Sequence, residues 1–158
     1  MSVLRALIRL PTCHLGVRHD SADLIEEIVF LPRENPVETA HDPLGRLFIE
    51  QIENYLMDPA WTITLPLAPR GTVFQQRVWQ AIRSIPPGQI RHYGELAKDL
   101  VSAPRAIGQA CGANPFPLIT PCHRVMAKTG PGGFAHAREG WLLETKRWLL
   151  QHESTLSK

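Results

Sequence analysis

Residues 93–110 read Tyr-Gly-Glu-Leu-Ala-Lys-Asp-Leu-Val-Ser-Ala-Pro-Arg-Ala-Ile-Gly-Gln-Ala, which predicts two short helices separated by a tight turn. The first runs from Tyr93 to Leu100 and the turn covers residues 101–103. Pro104 then stands at the first position of the second helix, where its fixed φ and missing N–H are tolerated. A helix-turn-helix has this pattern, and so does an ordinary helical hairpin. The pattern alone leaves both open.

The segments on either side of these two helices are also predicted to be helical. Thr72-x-x-Gln75 has the form of a capping box, and apolar residues follow it at helical spacing until Pro86-Pro87-Gly88 ends the helix. A final helix carries Trp141, Leu142, Trp148 and Leu149 along one face, as expected for core packing.

The first part of the chain has strand-like patterns instead. Apolar-rich runs broken by prolines and by Asp20-Ser21 predict three short strands of a small antiparallel sheet, Val3–Leu10, Cys13–Asp20 and Leu24–Leu31. One amphipathic helix then begins at Pro43, with Asp42 as its N-cap, and ends before Asp58-Pro59. Residues 64–71 read as a linker. We therefore predict an α+β protein with a sheet-and-helix domain over 1–70 and a helical domain over 71–158.

Composition limits the function classes. The chain has 158 residues, 44% of them hydrophobic, which is enough to bury a core in one unit or two small domains. It has no run near the roughly 18 apolar residues of a membrane span, and its first residues lack the pattern of a signal peptide, so a cytoplasmic protein without a membrane partner is expected. Three cysteines without a C-x-x-C pair argue against a disulfide framework and a thiolate zinc site.

Charge is unevenly distributed along the chain. Residues 1–69 carry 5 Lys/Arg against 10 Asp/Glu, a balance of −5, and residues 70–128 carry 8 against 2, a balance of +6. Two solvated faces would produce the same difference. A basic segment that also contains a candidate nucleophile favours a polyanionic substrate, because Lys and Arg that neutralise phosphates release counterions. Nucleic acid is therefore the leading partner class.

The candidate nucleophile is Cys122, within Pro121-Cys122-His123-Arg124-Val125. A cysteine attacks as the thiolate, so a neighbouring base or cation must remove its proton, and His123 or Arg124 could do so. Adjacent side chains often point apart, so His123 would need a bridging water or a particular backbone turn. Glu153 is a candidate to orient the imidazole. A buried, inert cysteine beside an ordinary histidine is the alternative interpretation.

Several motifs together carry a resemblance to a known family. Pro121–Val125 is preceded by Asn114-Pro115 and Arg105-Ala106-Ile107-Gly108, Tyr93 stands in a Tyr-x-x-Leu-Ala context, and Phe74-Gln75 and Val78-Trp79 lie upstream. Over residues 72–153 the chain resembles the O6-alkylguanine-DNA alkyltransferases, also called methylated-DNA--protein-cysteine S-methyltransferases. The N-terminal part is compatible in length and pattern but carries little diagnostic sequence.

The resemblance implies a fold and a single-use reaction. The N-terminal domain would be ribonuclease-H-like and the C-terminal domain would contain a winged helix-turn-helix. Cys122 would take the alkyl group from O6-alkylguanine, and from O4-alkylthymine, in double-stranded DNA, and the thioether formed would not be reversed. His123 would accept the thiol proton and Glu153 would orient His123. Tyr93 would donate toward the guanine, and Asn114 would act as a hinge.

The same resemblance implies the DNA contacts. Arg105 would enter the base stack from the minor groove and fill the gap left by the extruded nucleotide, and Ala106 and Gly108 would allow close approach to the DNA backbone. Tight packing between the two helices would equally explain these small residues. Arg124 would also contact DNA. The pocket for the base would be lined by Tyr93, Cys122, Val125, Phe134 and Ala135.

Some positions depart from the family pattern. Residues 130–140 contain extra residues, with Phe134 where many members have Tyr. Cys13, His14 and His19 do not reproduce a four-ligand zinc site, so no metal and no cofactor are expected, and the protein is expected to act as a monomer. Two alternatives remain open. A damage-binding module is disfavoured because such proteins replace the cysteine, and a thiol hydrolase is supported only by the Cys122–His123 pair.

Overall fold

The structure is a computed structural model, and it describes residues 4–21, 23–34, 42–128 and 140–157. The chain divides into two compact units, Met1–Arg70 and Gly71–Lys158. Among the described residues, no helix combines the length and apolar character that a membrane crossing requires.

The first unit contains the predicted antiparallel sheet. Its strands are β1 (Leu4–Arg9), β2 (His14–Arg18) and β3 (Glu27–Leu31), in the order β1-β2-β3. The prediction of three strands is confirmed, although each is shorter than predicted. Ile25 leaves the ladder because it bonds with the stretch predicted to be a linker: its N–H donates to the Pro66 carbonyl at 2.8 Å and its carbonyl accepts from the Ala68 N–H at 2.7 Å.

Helix α1 (Pro43–Met57) packs against β1 in the same unit. It begins as predicted, since the Asp42 side chain accepts a hydrogen bond from the Gly45 N–H at 2.7 Å. Its buried face carries apolar residues at helical spacing, Leu44, Phe48, Ile52 and Tyr55. This face and the inner face of the sheet form the core of the first unit.

In its described residues, the second unit has four α-helices and one two-stranded ladder. Its elements are α2 (Val73–Arg83), β4 (Arg91–His92), α3 (Tyr93–Asp99), α4 (Pro104–Gly112), β5 (Val125–Met126) and α5 (Trp141–Glu153). Both halves of the predicted capping box at Thr72 are formed, with the Gln75 N–H donating to Thr72 Oγ1 at 3.1 Å and the Thr72 N–H donating to Gln75 Oε1 at 2.9 Å. The four helices predicted at 72–85, 93–100, 104–110 and 141–149 correspond to α2, α3, α4 and α5.

Helices α3 and α4 pack against each other, and α4 also packs against α2. Their buried faces bring together apolar side chains, Val78, Ile82, Leu96 and Ile107. The indole N–H of Trp79 donates to the Ala110 carbonyl at 2.8 Å, which fixes α2 to the last turn of α4. This buried core supports the loop that follows α4 and leads to Cys122.

Candidate active site

The ladder between β4 and β5 brings two separate segments of the site together. These strands are parallel, with Arg91 opposite Val125 and His92 opposite Met126. Tyr93 follows β4 directly, and a 3-10 turn over Cys122–Arg124 directly precedes β5. Residues far apart in sequence are thereby anchored to one short sheet.

Asn114 fixes the loop that carries Cys122. Its side-chain Nδ2 donates to the Thr120 carbonyl at 2.8 Å and lies 3.3 Å from Cys122 Sγ, while its Oδ1 accepts from the Phe116 N–H at 2.9 Å. The Cys122 N–H in turn donates to the Thr120 carbonyl at 2.8 Å. One amide side chain therefore sets both the loop conformation and the position of the sulfur.

The Cys122 thiol is protonated at neutral pH. The side chain is buried, and its pKa is raised well above the ordinary value by a hydrogen bond with the Cys111 thiol and by burial. Asn114 and the charge of Lys146 act in the opposite direction. Because the thiol is not ionised at rest, attack by this sulfur requires a base that removes the proton during the reaction.

His123 has the features of such a base. Its Nε2 lies 2.9 Å from Glu153 Oε2, and both side chains are buried. Burial lowers the His123 pKa despite the opposing effect of Glu153, so the imidazole is neutral at pH 7. A carboxylate only accepts hydrogen bonds, so Nε2 carries the proton and Nδ1 has the free lone pair. Nδ1 is buried and has no hydrogen-bond partner among the described residues.

Arg124 lies next to this pair and not on the surface. Its Nε and Nη2 donate to the two carboxylate oxygens of Glu153, each at 2.9 Å, and its Nη1 donates to the Ile85 carbonyl at 2.7 Å. The guanidinium is buried, and this geometry favours a positioning role over the predicted DNA contact. Glu153 therefore holds His123 with one oxygen while Arg124 holds both oxygens.

Tyr93 and Lys146 lie near the sulfur, close enough to interact with its charge. The Tyr93 pKa is raised by burial, and further by the negative charges of the nearby cysteines when they ionise, so the phenol keeps its proton. Lys146 is fully buried, donates from Nζ to the Val125 carbonyl at 2.7 Å, and lies 5.9 Å from the centroid of the Tyr93 ring. Burial lowers its pKa to about 8.

Sequence reasoning missed Lys146, Cys111 and Arg83. Lys146 lies between Leu143 and Leu149 at spacings of three, so a cation on the apolar face of α5 was a visible signal. Arg83 donates from Nε to Thr120 Oγ1 at 2.7 Å.

The predicted DNA-contacting residues lie on α4. Arg105 is exposed in its first turn, while Ala106 and Gly108 are half-buried. A Cβ added at Gly108 would meet no heavy atom within 4 Å, so packing inside the described part of the chain does not require a glycine there. Of the predicted pocket residues, Val125 is buried, whereas Phe134 and Ala135 lie outside the described residues.

Metal binding has no visible basis in the ranges that the structure describes. No group of three or more His, Cys, Asp or Glu side chains there could hold a metal ion. None of the three cysteines, all within those ranges, forms a disulfide.

Comparisons with known proteins identify the family of the chain. A family profile described as "6-O-methylguanine DNA methyltransferase, DNA binding domain" matches residues 73–155. A methylated-DNA--protein-cysteine methyltransferase from Salmonella typhimurium is 48% identical over 96 residues, which are 59% of this chain and 53% of that relative. The chain thus spans about half the length of this curated relative.

Solved structures match over almost the whole chain. The O6-methylguanine methyltransferase of Mycobacterium tuberculosis is 31% identical with a TM-score of 0.79, covering 98% of this chain and 94% of that one. The protein from the same organism in complex with DNA is 32% identical with a TM-score of 0.75, covering 94% and 91%. A buried cysteine with a histidine–glutamate pair beside it, a matching family profile and a shared fold lead to one conclusion: the chain belongs to the O6-methylguanine-DNA methyltransferase family.

Proposed function

We propose that this protein repairs DNA by moving the alkyl group of O6-alkylguanine, and of O4-alkylthymine, irreversibly to Cys122. The observation that carries the proposal is the buried Cys122 thiol beside a neutral His123 whose tautomer is set by Glu153. Each molecule would act once, because the thioether product is a very poor leaving group. Cys122 is intact, which disfavours a protein that only binds damage.

The reaction begins with the thiol proton. Nδ1 of His123 takes it, through a bridging water, while the positive charge that develops on the imidazole is stabilised by Glu153. The sulfur then forms a bond to the alkyl carbon as the bond from that carbon to O6 breaks, and the electron pair leaves with the guanine. Tyr93 donates a hydrogen bond or proton to the base, a role that suits a phenol whose raised pKa keeps it protonated.

The base must leave the duplex to reach a buried sulfur. We propose that α4 lies in the minor groove, that the exposed Arg105 fills the gap in the base stack, and that Ala106 and Gly108 approach the DNA backbone. The open space at Gly108 and the +6 balance of residues 70–128 support this contact. The M. tuberculosis protein has been solved in complex with DNA, which supports DNA as the partner of this chain.

The finer architecture belongs to the same proposal. The sheet and α1 would form a ribonuclease-H-like domain, and α3 and α4 would be the helix-turn-helix of a winged domain. Val125, Phe134 and Ala135 would line the pocket for the base. The protein would work as a monomer in the cytoplasm, with double-stranded DNA as its partner.

The test is the mass of the protein after incubation with a duplex containing one O6-methylguanine. Tryptic cleavage after Arg105 and Arg124 yields one peptide, residues 106–124, which contains both Cys111 and Cys122. We expect one added methyl group on this peptide, placed on Cys122 by fragmentation, in the wild type and in Cys13→Ser but not in Cys122→Ser. Binding without a mass change would indicate a damage sensor, and turnover of a small ester would indicate a hydrolase. A duplex with O4-methylthymine tests the second substrate.

A further inference from the structure

Thr120, two positions before the alkyl acceptor, is the centre of the hydrogen bonds in its loop. The residue is fully buried, and its N–H donates to the Phe116 carbonyl at 2.9 Å. Its carbonyl accepts from the Cys122 N–H and from Asn114 Nδ2, each at 2.8 Å. Its hydroxyl accepts from Arg83 Nε at 2.7 Å. All three polar groups of Thr120 are therefore bonded, and the bond to the hydroxyl comes from α2, outside the loop.

The same loop contains backbone strain. Leu118, a buried residue between Asn114 and Cys122, has a φ of 74°, in the left-handed region that residues other than glycine rarely adopt. Such a conformation persists only where the surrounding contacts hold it. The hydrogen bonds of Thr120, two residues later, are contacts of this kind. Their loss would let the loop relax and would move the sulfur.

We propose that Arg83 is a positioning residue for the alkyl transfer: its hydrogen bond to Thr120 holds the strained loop, and thereby Cys122 Sγ, in line with the alkyl carbon. This inference rests on the proposed function, because it takes alkyl transfer to Cys122 as the reaction. Such an attack depends steeply on geometry, since a misplacement of about 1 Å can cost about 10²-fold in rate. The role requires no contact between Arg83 and the substrate.

Two other roles for this arginine make different predictions. Arg83 is exposed in the last turn of α2, where it would also suit a contact with a DNA phosphate. Its charge also reaches the sulfur, because burial lowers the Arg83 pKa while the negative charge of an ionised Cys122 raises it. A change at Thr120 leaves the arginine and its charge in place and removes only the acceptor of the hydrogen bond. Variants at Thr120 therefore separate positioning from both other roles.

The experiment compares Thr120→Val, Thr120→Ser, Arg83→Met and the double variant Arg83→Met/Thr120→Val. Valine has nearly the shape of threonine but no acceptor, whereas serine keeps the hydroxyl. With a saturating duplex that contains O6-methylguanine, we expect the single-turnover rate of methyl transfer to fall about tenfold in Thr120→Val and in Arg83→Met. The double variant should be no slower than Arg83→Met, because both changes remove the same bond. Thr120→Ser should recover most of the rate.

DNA affinity and amide hydrogen exchange are measured on the same proteins. The dissociation constant for the duplex should not change in Thr120→Val, since positioning acts on the rate and not on binding. Exchange of the Cys122 amide, which bonds to Thr120, should become faster in Thr120→Val and Arg83→Met. The matched control is Arg77→Met, also on α2, whose guanidinium donates to the Leu100 carbonyl at 3.4 Å, outside this loop. It should change neither the rate nor this exchange.

A wild-type rate in Thr120→Val would overturn the proposal. Arg83 would then bind a phosphate if Arg83→Met loses DNA affinity, or act on the sulfur through its charge if Arg83→Met is slow. A double variant slowed by the product of the two single effects would also contradict it, because the two side chains would then act independently. If the wild type transfers no methyl group, the proposed function fails, while the exchange of the Cys122 amide still decides whether Arg83 holds the loop.

Discussion

The Glu153 carboxylate binds His123 and Arg124 at the same time: Oε2 lies 2.9 Å from His123 Nε2, and both oxygens accept from the Arg124 guanidinium. All three side chains are buried. The carboxylate thus orients the His123 imidazole and neutralises the buried charge of Arg124. A change at Glu153 affects both residues.

Glu153→Gln is expected to weaken the fold and the reaction together. The variant leaves Arg124 as a buried cation without its charge partner, which costs about 3–5 kcal/mol in the free energy of unfolding. The matched control is Glu144→Gln, on the exposed side of α5, for which we expect a change within about 0.5 kcal/mol. Urea unfolding measures the difference. Similar stability of the two variants would show that the pairs of Glu153 with His123 and Arg124 contribute little to the free energy of unfolding.

His123→Ala should change how the transfer rate depends on pH. The wild type keeps a neutral imidazole at pH 7 because burial lowers the His123 pKa, so its rate should fall only at a pH below the range in which an ordinary histidine titrates. Without the base, we expect a loss of about 10²–10⁴-fold at neutral pH. That loss should shrink at high pH, because the thiol then ionises without a base. Since the Cys122 pKa is raised, we expect this recovery only in alkaline solution.

The measurement is the single-turnover rate of methyl transfer between pH 6 and pH 10 for the wild type and His123→Ala. His152→Ala, on the last turn of α5, controls for the loss of an imidazole elsewhere. Parallel pH profiles in the wild type and His123→Ala would exclude His123 as the base.

Lys146 should make stability depend on pH in a defined direction. Its pKa is about 8 in the folded state, because of burial, against an ordinary value of 10.5. Between these values the unfolded chain holds a proton that the folded protein has lost, so the contribution of Lys146 to stability increases with pH. The gain should reach about 3 kcal/mol, at about 1.4 kcal/mol per pH unit.

Lys146→Met isolates this effect. Tyr93 and Cys122 have raised pKa values and act in the opposite sense, but they are present in both proteins. We therefore expect the unfolding free energy of the wild type, minus that of Lys146→Met, to increase from pH 8 to pH 10. A constant difference would mean that Lys146 keeps its ordinary pKa in the folded state.

Arg105→Ala should impair base flipping beyond the loss of one charge. Arg147→Ala is the matched control, since Arg147 is an exposed arginine on α5. Both variants should lose salt-dependent affinity for DNA, because each removes one cation. Only Arg105→Ala should slow methyl transfer and reduce the fluorescence rise of a 2-aminopurine placed at the flipped position. Equal effects would limit Arg105 to a phosphate contact.

Local signals were enough to predict the helices and the three strands β1, β2 and β3, but not the short ladder of β4 and β5. Asp42 and Thr72 accept the hydrogen bonds of true N-caps, and short-range apolar spacing placed α1, α2, α4 and α5. Ile25 shows where this reasoning ends. Its departure from β3 depends on hydrogen bonds with residues 66–68, and no local pattern in either segment predicts that pairing.

The site was predictable where residue type determines the chemistry, as at Cys122 and His123. Arg124 was harder, because an arginine in a basic segment suggests DNA, and only the folded chain shows it buried against Glu153. Cys111 and Lys146 carry no motif of their own. Their importance comes from their positions near Cys122, and tertiary packing sets those positions.

Helix α5 comes after every other described element of the site in chain order, and it supplies Glu153 and Lys146. A ribosome therefore releases Cys122, His123 and Tyr93 well before the groups that complete their surroundings. During synthesis the thiol passes through a period when neither the fixed imidazole nor the buried lysine is in place. The sulfur therefore reaches its final surroundings only when α5 docks. A chain interrupted before residue 141 would contain Cys122 without Glu153 and Lys146.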